Sequence, residues 1–368
     1  MSAIPEEFGL ARDGSDTPPE EWDAFVQQTH AGSYLQLSPW AQVKAANGWA
    51  PVRSVEAEPD GRFLVGAQVL VRRPRPMPWA FAYAPRGPVA GDWSSGAIAR
   101  ITETLLRLPG RVGPVAHIRI DPEIELDGPD DRDGSLREAL RAEGWRPAPP
   151  IQPSSTRLID LRADEDALWG ELRKKWRQYV NKARSAGVVV VDADGDRLGD
   201  FYRIYRETAE RAGFLIRTEQ AYRDVWEAFK PLGLARLLLA QTADGSPQAA
   251  LFLIRCGRRV VEPYGGMTND GAESRANYLL KWEAIRSSKA LGAETYDLWG
   301  LATGGIAHFK TGFGGREVRY VGAWDLVLNP LGRLAYEGGQ RARVWLARRR
   351  RGLSGGGSAS AFSASDGA

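Results

Sequence analysis

The feature that most constrains this chain is a proline-rich stretch, Pro147 to Pro153, that divides 368 residues into two runs of the same α/β grammar. Proline fixes φ and removes a backbone donor, so such a stretch reads as a linker. Before it, Glu21 to Thr29 has helical spacing through Trp22, Phe25 and Val26, and Ser38-Pro39 opens a helix running to about Ala46. Ala50 to Val55, Phe63 to Arg72 and Trp79 to Tyr83 read as strands between Gly/Pro/Asp turns. Ser94 to Arg107 is a helix, Val115 to Ile120 an alternating strand, 127–135 a surface loop, and Leu136 to Glu143 a short helix.

The second run starts at Ser155 with a strand and a helix over Glu165 to Ala186. Strand Val188 to Asp192 and helices Leu198 to Ala212 and Glu219 to Phe229 come next. Strands Ala235 to Thr242, Gln248 to Cys256 and Arg259 to Tyr264, helix Ala276 to Leu291, strand Thr295 to Trp299, Gly-rich turns and strand Arg319 to Val327 complete it. Hairpins outnumber βαβ units in both runs, so the reading is two α/β domains with mixed sheets. Their bounds are 21–153 plus about 322–345 and 154–321, with a loose leader over 1–20 and a disordered tail over 346–368.

Composition narrows the class. A hydrophobic share of 43% with 26% charged residues is globular. The single cysteine, Cys256, forms no internal disulfide, and His30, His117 and His308 are too far apart for zinc spacing. No run approaches the roughly 18 apolar residues of a membrane span, and the acidic N-terminus is no signal peptide, so a cytoplasmic protein is expected. The net charge of +3 is misleading. Six arginines, Arg341, Arg343 and Arg348 to Arg351, follow residue 340 with one acid, Asp366, which leaves residues 1–340 with 43 basic and 45 acidic groups. A near-neutral body argues against a protein that coats nucleic acid.

Three segments carry residue types suited to chemistry. Helix 165–186 stripes Trp169, Leu172, Trp176, Tyr179 or Val180, and Ala183 on one face. Its six cations, Arg173, Lys174, Lys175, Arg177, Lys182 and Arg184, form either a solvated face or a phosphate contact, with Lys174, Lys175 and Arg177 as the phosphate-contact candidates that the resemblance described below would assign to tRNA. Glu262 to Met267 ends a strand in Gly265-Gly266, where a backbone can approach a ligand beside Tyr264. Phe309-Lys310 sits in a Gly-rich stretch where an ammonium next to a ring suits an oxyanion or a stacked base. No Ser-His-Asp or Cys-His grouping stands out, so a covalent intermediate on the protein is not expected.

The segments Leu35 to Lys44, Tyr83 to Val89, Lys174 to Ala183, Glu207 to Phe214, Pro263 to Gly266, Trp282 to Ile285, and Tyr296 to Gly300 with Phe309 to Gly315 together resemble the Fem family of peptidoglycan-bridge aminoacyltransferases. The likeness runs from about residue 20 to residue 330, without the long helical hairpin of those members that have a coiled-coil arm. It implies two GNAT-like domains, the first completed by a strand returning from the C-terminal part. It also implies transfer of an amino acid, glycine, alanine or serine, from aminoacyl-tRNA as co-substrate to the stem-peptide amine of lipid II or UDP-MurNAc-pentapeptide, with no other cofactor and no metal. On this resemblance Lys44 and Arg217, with Arg211 as runner-up, hold precursor phosphates, while Tyr264, Asp121 and Trp49 contact substrate. Phe309 and Lys310 meet the tRNA 3′ end and the reacting ester. The Arg-rich end implies a peripheral contact with tRNA or an anionic membrane surface. Two readings compete. A GNAT acyltransferase using acyl-CoA would need a glycine cradle before Ala276, where Asp270 to Arg275 holds two acids and one glycine. A non-catalytic RNA-binding module would need a more basic body.

Overall fold

The computed structural model describes residues 17–301 and 305–350. They divide into two compact units, 17–149 with 321–350, and 150–301 with 305–320. The first begins with α1 (Pro19–Gln28) and α2 (Ser38–Ala46), followed by β1 (Ala50–Ala57), β2 (Phe63–Arg72), β3 (Ala80–Ala84) and β4 (Val89–Ala90). Then come α3 (Ser95–Leu106), α4 (Leu108–Val112), β5 (Val115–Ile120), α5 (Ser135–Ala142) and β6 (Arg146–Ala148). The second unit comprises β7 (Ser155–Asp160), α6 (Glu165–Glu171), α7 (Lys174–Ser185), β8 (Val189–Ala193), α8 (Leu198–Ala212) and α9 (Glu219–Phe229). It continues with β9 (Ala235–Gln241), β10 (Pro247–Cys256), β11 (Arg259–Met267), α10 (Asn269–Ser274), α11 (Ala276–Ala290), β12 (Thr295–Asp297), α12 (Gly305–Thr311) and β13 (Arg316–Arg319). The chain then returns to the first unit with β14 (Ala323–Val327) and α13 (Pro330–Arg350).

The sheets repeat one plan. The first has the order β1-β2-β3-β5-β14-β6, with β4 beside β2, and the second the order β13-β7-β12-β11-β10-β9-β8. In each, a meander of three antiparallel strands leads through a helix to a strand that pairs in parallel with the third. These pairs are β3 with β5 through α3 and β11 with β12 through α11. A parallel pair cannot be closed by a tight turn, so a crossover helix is obligatory at that point and nowhere else in the meander. Each helix buries an apolar stripe on its sheet: Ile98, Ile101 and Leu105 of α3, and Leu280, Ala284 and Ile285 of α11. The mixed sheets and the returning strand follow expectation, since β14 lies between β5 and β6.

Several elements differ from the sequence reading. The helix expected over 165–186 breaks at Leu172 and Arg173, which are extended because the Arg173 N–H donates to the Gly312 carbonyl at 3.0 Å. Val180, not Tyr179, joins the buried stripe. The single strand expected over 319–327 is two, β13 and β14, separated by Gly322 at φ 85° and belonging to different units. Phe309 and Lys310 stand on a helix, α12, and not in a Gly-rich turn. Residues 19–20, read as leader, begin α1, and 346–350, read as tail, end α13. Residues 1–16 of the leader and 351–368 of the tail lie outside the described residues.

Three buried groups join β14 and α13 to the first sheet. Asp325 accepts from Arg119 at 2.7 and 2.8 Å and from Arg333 at 3.1 Å. Next to them His117 is fully buried between Phe81 (4.9 Å) and Tyr336 (5.3 Å), and neither ring nitrogen has a hydrogen-bond partner among the described residues. Burial pulls His117 down to about 4; Asp325 opposes this, and Arg119 and Arg333 reinforce it. Between about pH 6.5 and 4 the unfolded chain therefore binds the proton that the folded chain refuses, so this residue withdraws stability as pH falls through that window. Asp121, raised to about 6, acts in the opposite direction, so the effect is read as a difference between proteins. Urea unfolding of His117→Phe should show a flatter loss between pH 6.5 and 4 than wild type, by up to about 3 kcal/mol. Parallel stability curves would contradict the assignment.

Candidate active site

The parallel pair of the second unit is short. Only Arg259, Val260 and Val261 of β11 pair with Thr295, Tyr296 and Asp297 of β12. Beyond that point β11 runs on to Met267, whereas the chain after β12 turns sharply, with Trp299 at φ 43° and Gly300 at φ 68°. Two successive residues in the left-handed region let the carbonyls of Leu298, Trp299 and Gly300 converge on one point. Lys310 of α12 fills it. Its Nζ donates to the Leu298 carbonyl at 2.6 Å, to that of Gly300 at 2.9 Å and to that of Trp299. The ammonium thus uses all three protons on backbone and has no spare donor, unlike the open oxyanion donor expected from sequence. Burial pulls Lys310 down to about 8; the Glu262 charge resists, Lys281 adds to the fall, and Asp297 resists.

The turn is fixed from below. Asp297, fully buried, accepts from the Trp299 N–H at 2.8 Å, from the Thr156 hydroxyl and from the Arg259 guanidinium. On the other side Glu262, 5% exposed, accepts from Lys281 Nζ and, at 2.7 Å, from the Tyr296 hydroxyl. Lys281 lies 5.7 Å over the Phe309 ring, which also packs on Tyr278 (5.0 Å) and Phe313 (5.2 Å). Neither Lys281 nor the Asp297–Arg259–Thr156 cluster was singled out from sequence. A lysine inside the apolar run Leu279-Leu280-Lys281-Trp282 was the available signal, because such a charge is buried only with a partner.

Lys174 and Lys175 are exposed at the start of α7, with Lys175 5.6 Å over Tyr179. Arg177 instead donates to the Gly170 carbonyl at 3.1 Å, closing the end of α6. The same helix reaches α12: Trp176 Nε1 donates to the Phe309 carbonyl at 3.0 Å, and Arg173 lies 3.2 Å from His308 Nδ1. Gly312 must be glycine, since a Cβ there would sit 2.3 Å from the Trp176 ring.

The other candidates separate by unit. In the second, the Arg217 N–H donates to the Tyr222 hydroxyl at 3.1 Å, and Tyr222 meets Tyr264 edge to face at 5.0 Å. Arg211 is engaged with the end of β11 through the Met267 carbonyl (2.9 Å) and Asn269 Oδ1 (3.1 Å). In the first unit the Trp49 N–H donates to the Lys44 carbonyl at 3.1 Å, and the Trp49 ring packs on Phe81 at 6.2 Å. Phe81 stacks on Tyr83, whose hydroxyl donates to Asp121 at 2.8 Å. Lys44 lies 5.0 Å over the Trp40 ring and is 1% exposed. Burial raises Asp121 to about 6, against the pull of Arg86 and of the hydrogen bonds from the Tyr83 hydroxyl and the Arg86 N–H.

Two antiparallel meanders, each closed by a helix-crossed parallel strand, define a tandem GNAT protein. Residues 170–311 match the model of the acetyltransferase (GNAT) domain, and residues 17–139 match that of the FemAB family. The crystal structure of FemX superposes with a TM-score of 0.77 at 22% identity, over 86% of this chain and 98% of that one. A tandem GNAT protein from the clavulanic acid biosynthesis pathway gives a TM-score of 0.50 at 12% identity, over 84% and 95%. The lipid II:glycine glycyltransferase of Staphylococcus aureus (strain MRSA252) is 27% identical over 226 residues, 60% of this chain and 53% of that protein. The chain therefore spans about half the length of the curated relatives it matches. Over residues 17–139 the chain is thus similar to the FemAB family, and over 170–311 to the GNAT domain.

The buried Glu262–Lys281 pair yields a stability prediction. Glu262→Gln leaves a buried ammonium with no counter-charge and should cost about 3–5 kcal/mol in urea unfolding, whereas Glu262→Gln with Lys281→Met should recover most of it. A loss below about 1 kcal/mol in the single variant would show that the pair does not sustain the packing between β11 and α11.

Proposed function

We propose that this protein transfers an aminoacyl group from aminoacyl-tRNA to the stem-peptide amine of a peptidoglycan precursor, lipid II or UDP-MurNAc-pentapeptide. The amine nitrogen attacks the ester carbonyl, the tetrahedral intermediate collapses, the tRNA ribose oxygen leaves, and an amide forms as the amine gives up a proton. Because the ester is already activated, the protein needs alignment and charge, with no nucleophile or resident cofactor of its own. The observation that carries this reading is the cationic Lys310, set beside Phe309 where β11 and β12 part. The Fem-family segments and the glycyltransferase relative support the same class of substrate. Lys310 acts by its field and by holding the 298–300 turn; Phe309 offers a ring to a terminal base; Lys44 and Arg217 neutralise precursor phosphates.

The alternative donor is acyl-CoA. Against it stands the start of α11, preceded by Arg275 at φ 65° with its guanidinium 4.6 Å over the Tyr179 ring. The one glycine of that stretch, Gly271, already gives its N–H to the Thr268 hydroxyl at 3.0 Å. A pyrophosphate needs bare, convergent N–H groups, and a bulky residue in a left-handed turn does not offer them.

Incubation with a mixed aminoacyl-tRNA pool and each precursor, read by mass, should show a stem peptide heavier by one amino acid, with acetyl-CoA inert. Transfer from acyl-CoA with none from aminoacyl-tRNA would overturn the reading. Lys310→Met should slow transfer roughly 10²-fold with little change in precursor affinity. In wild type the rate should fall as pH rises through about 8, where the ammonium loses its proton, and this alkaline limb should be missing from the variant. Near wild-type turnover in a folded Lys310→Met protein would remove Lys310 from the chemistry. Lys44→Met and Arg217→Ala should each weaken precursor binding by about 1.5–3 kcal/mol, and unchanged affinity in both would move the phosphates elsewhere.

A further inference from the structure

Helix α7 carries five cations, Lys174, Lys175, Arg177, Lys182 and Arg184, and no acid. They divide by side. Arg184 pairs with Glu283 at 2.9 Å, and Arg177 donates to the Gly170 carbonyl at 3.1 Å, so both are tied to the protein. Lys174, Lys175 and Lys182 are exposed and make no hydrogen bond or ion pair among the described residues. At about 100° per residue these three share one arc of roughly 140° with Ser185, Gln178 and Tyr179, and the arc holds no acid and no aliphatic residue. Lys174 and Lys175 stand in the first turn, at the positive end of the helix dipole, where a cation destabilises the helix. Charge set against local stability is expected where function, not folding, selects the residues. At the edge of the arc the half-buried Tyr179 ring has Lys175 5.6 Å over it and the Arg275 guanidinium at 4.6 Å. Tyr179 meets Tyr278 at 4.8 Å and Tyr278 meets Phe309 at 5.0 Å, so the arc runs into the ring beside Lys310 without leaving the second unit.

We infer that Lys174, Lys175 and Lys182, with Arg275 and the Tyr179 ring, form a docking surface for a single strand of nucleic acid, the cations on its phosphates and the ring under a base. Cations interleaved with an aromatic platform are the composition that such a strand binds. A membrane surface needs an apolar residue to enter it, and the arc offers none. The inference rests on the proposal that the donor is aminoacyl-tRNA: the strand is its unpaired 3′ end, which carries the ester toward Phe309 and Lys310. The same turn of α7 also holds α12, through the Arg173 N–H on the Gly312 carbonyl and Trp176 Nε1 on the Phe309 carbonyl, each at 3.0 Å. Phosphates bound there would sit on the element that fixes Phe309.

Binding of uncharged bulk tRNA to the full chain, followed by fluorescence anisotropy over a salt series, tests the surface without any turnover. Lys174→Gln, Lys175→Gln and Lys182→Gln combined should weaken binding roughly tenfold or more and flatten the plot of log affinity against log salt by about 2, at about 0.7 per single-strand phosphate contact. The thermal midpoint should not fall, because the dipole opposes two of these charges. Arg203→Gln, Arg206→Gln and Lys230→Gln remove the same charge from α8 and the turn after α9, and should leave binding close to wild type. Tyr179→Leu should weaken binding several-fold with the salt slope kept, and Tyr179→Phe should restore it. In the transfer assay the lysine variant should need roughly tenfold more aminoacyl-tRNA for half-maximal rate, in line with its lost contacts. The inference is overturned by a wild type that binds no tRNA, by a lysine variant that binds it as wild type does, or by a control that loses as much. A lysine variant that releases phosphatidylglycerol vesicles while keeping its tRNA would give the surface to a membrane and overturn it too. Transfer from aminoacyl-tRNA with unchanged binding in the lysine variant would sink this surface alone, whereas lysine-dependent binding without transfer would sink the proposed reaction and uphold the surface.

Discussion

The second unit depends on one ammonium placed where a sheet opens. A parallel strand pair of three residues cannot hold the strand ends together beyond Val261 and Asp297, and the carbonyls after β12 have no ladder partner there. Lys310 supplies one, collecting three carbonyls on a single Nζ. Such charge-assisted bonds are about twice as strong as neutral ones, and in a partly buried place they resist water. Removing that ammonium would leave three inward-facing carbonyls unsatisfied and the turn at Trp299 and Gly300 without a reason to persist. The ammonium that holds this turn is also the one to which the proposed chemistry assigns its field, so structure and proposed chemistry share one atom.

Around it the charged groups come in paired sets. Glu262, Lys281 and Tyr296 form one, and Asp297, Arg259 and Thr156 the other, on either side of the parallel pair. Buried ion pairs are poor sources of net stability, but breaking one is costly, which makes them effective at fixing a single arrangement. Here they fix the register of β11 against β12 and the height of Phe309 on its packing partners. The first unit uses a different device at the equivalent place: β3 and β5 stay paired to Ala84 and Ile120, and Asp121 holds the next turn through the Arg86 N–H at 2.6 Å.

Much of this was legible because local and tertiary signals agreed. Alternating strands with turn residues gave the meanders, and periodic helices such as α3 and α11 gave the crossovers. Gln36, inside one of the segments that suggested the family, ties another of them down by donating to the Pro85 carbonyl at 2.8 Å. What the sequence hid was decided by distant partners. Helix 165–186 breaks only because Arg173 meets Gly312, 139 positions away. Residues 305–311 looked like turns because glycines flank them, yet packing of Phe309 on Tyr278 and Phe313 makes them a helix. Lys281 could be read as a solvated lysine until Glu262 was placed beside it.

Hydrogen–deuterium exchange on wild type and Lys310→Met tests the central claim most directly, because it reads the turn itself and needs no substrate. The account predicts faster exchange in the variant over 298–301 and 305–313, with β9 and β10 unchanged, since only the former depend on the Lys310 ammonium. Equal protection of the 298–301 segment in both proteins would contradict it.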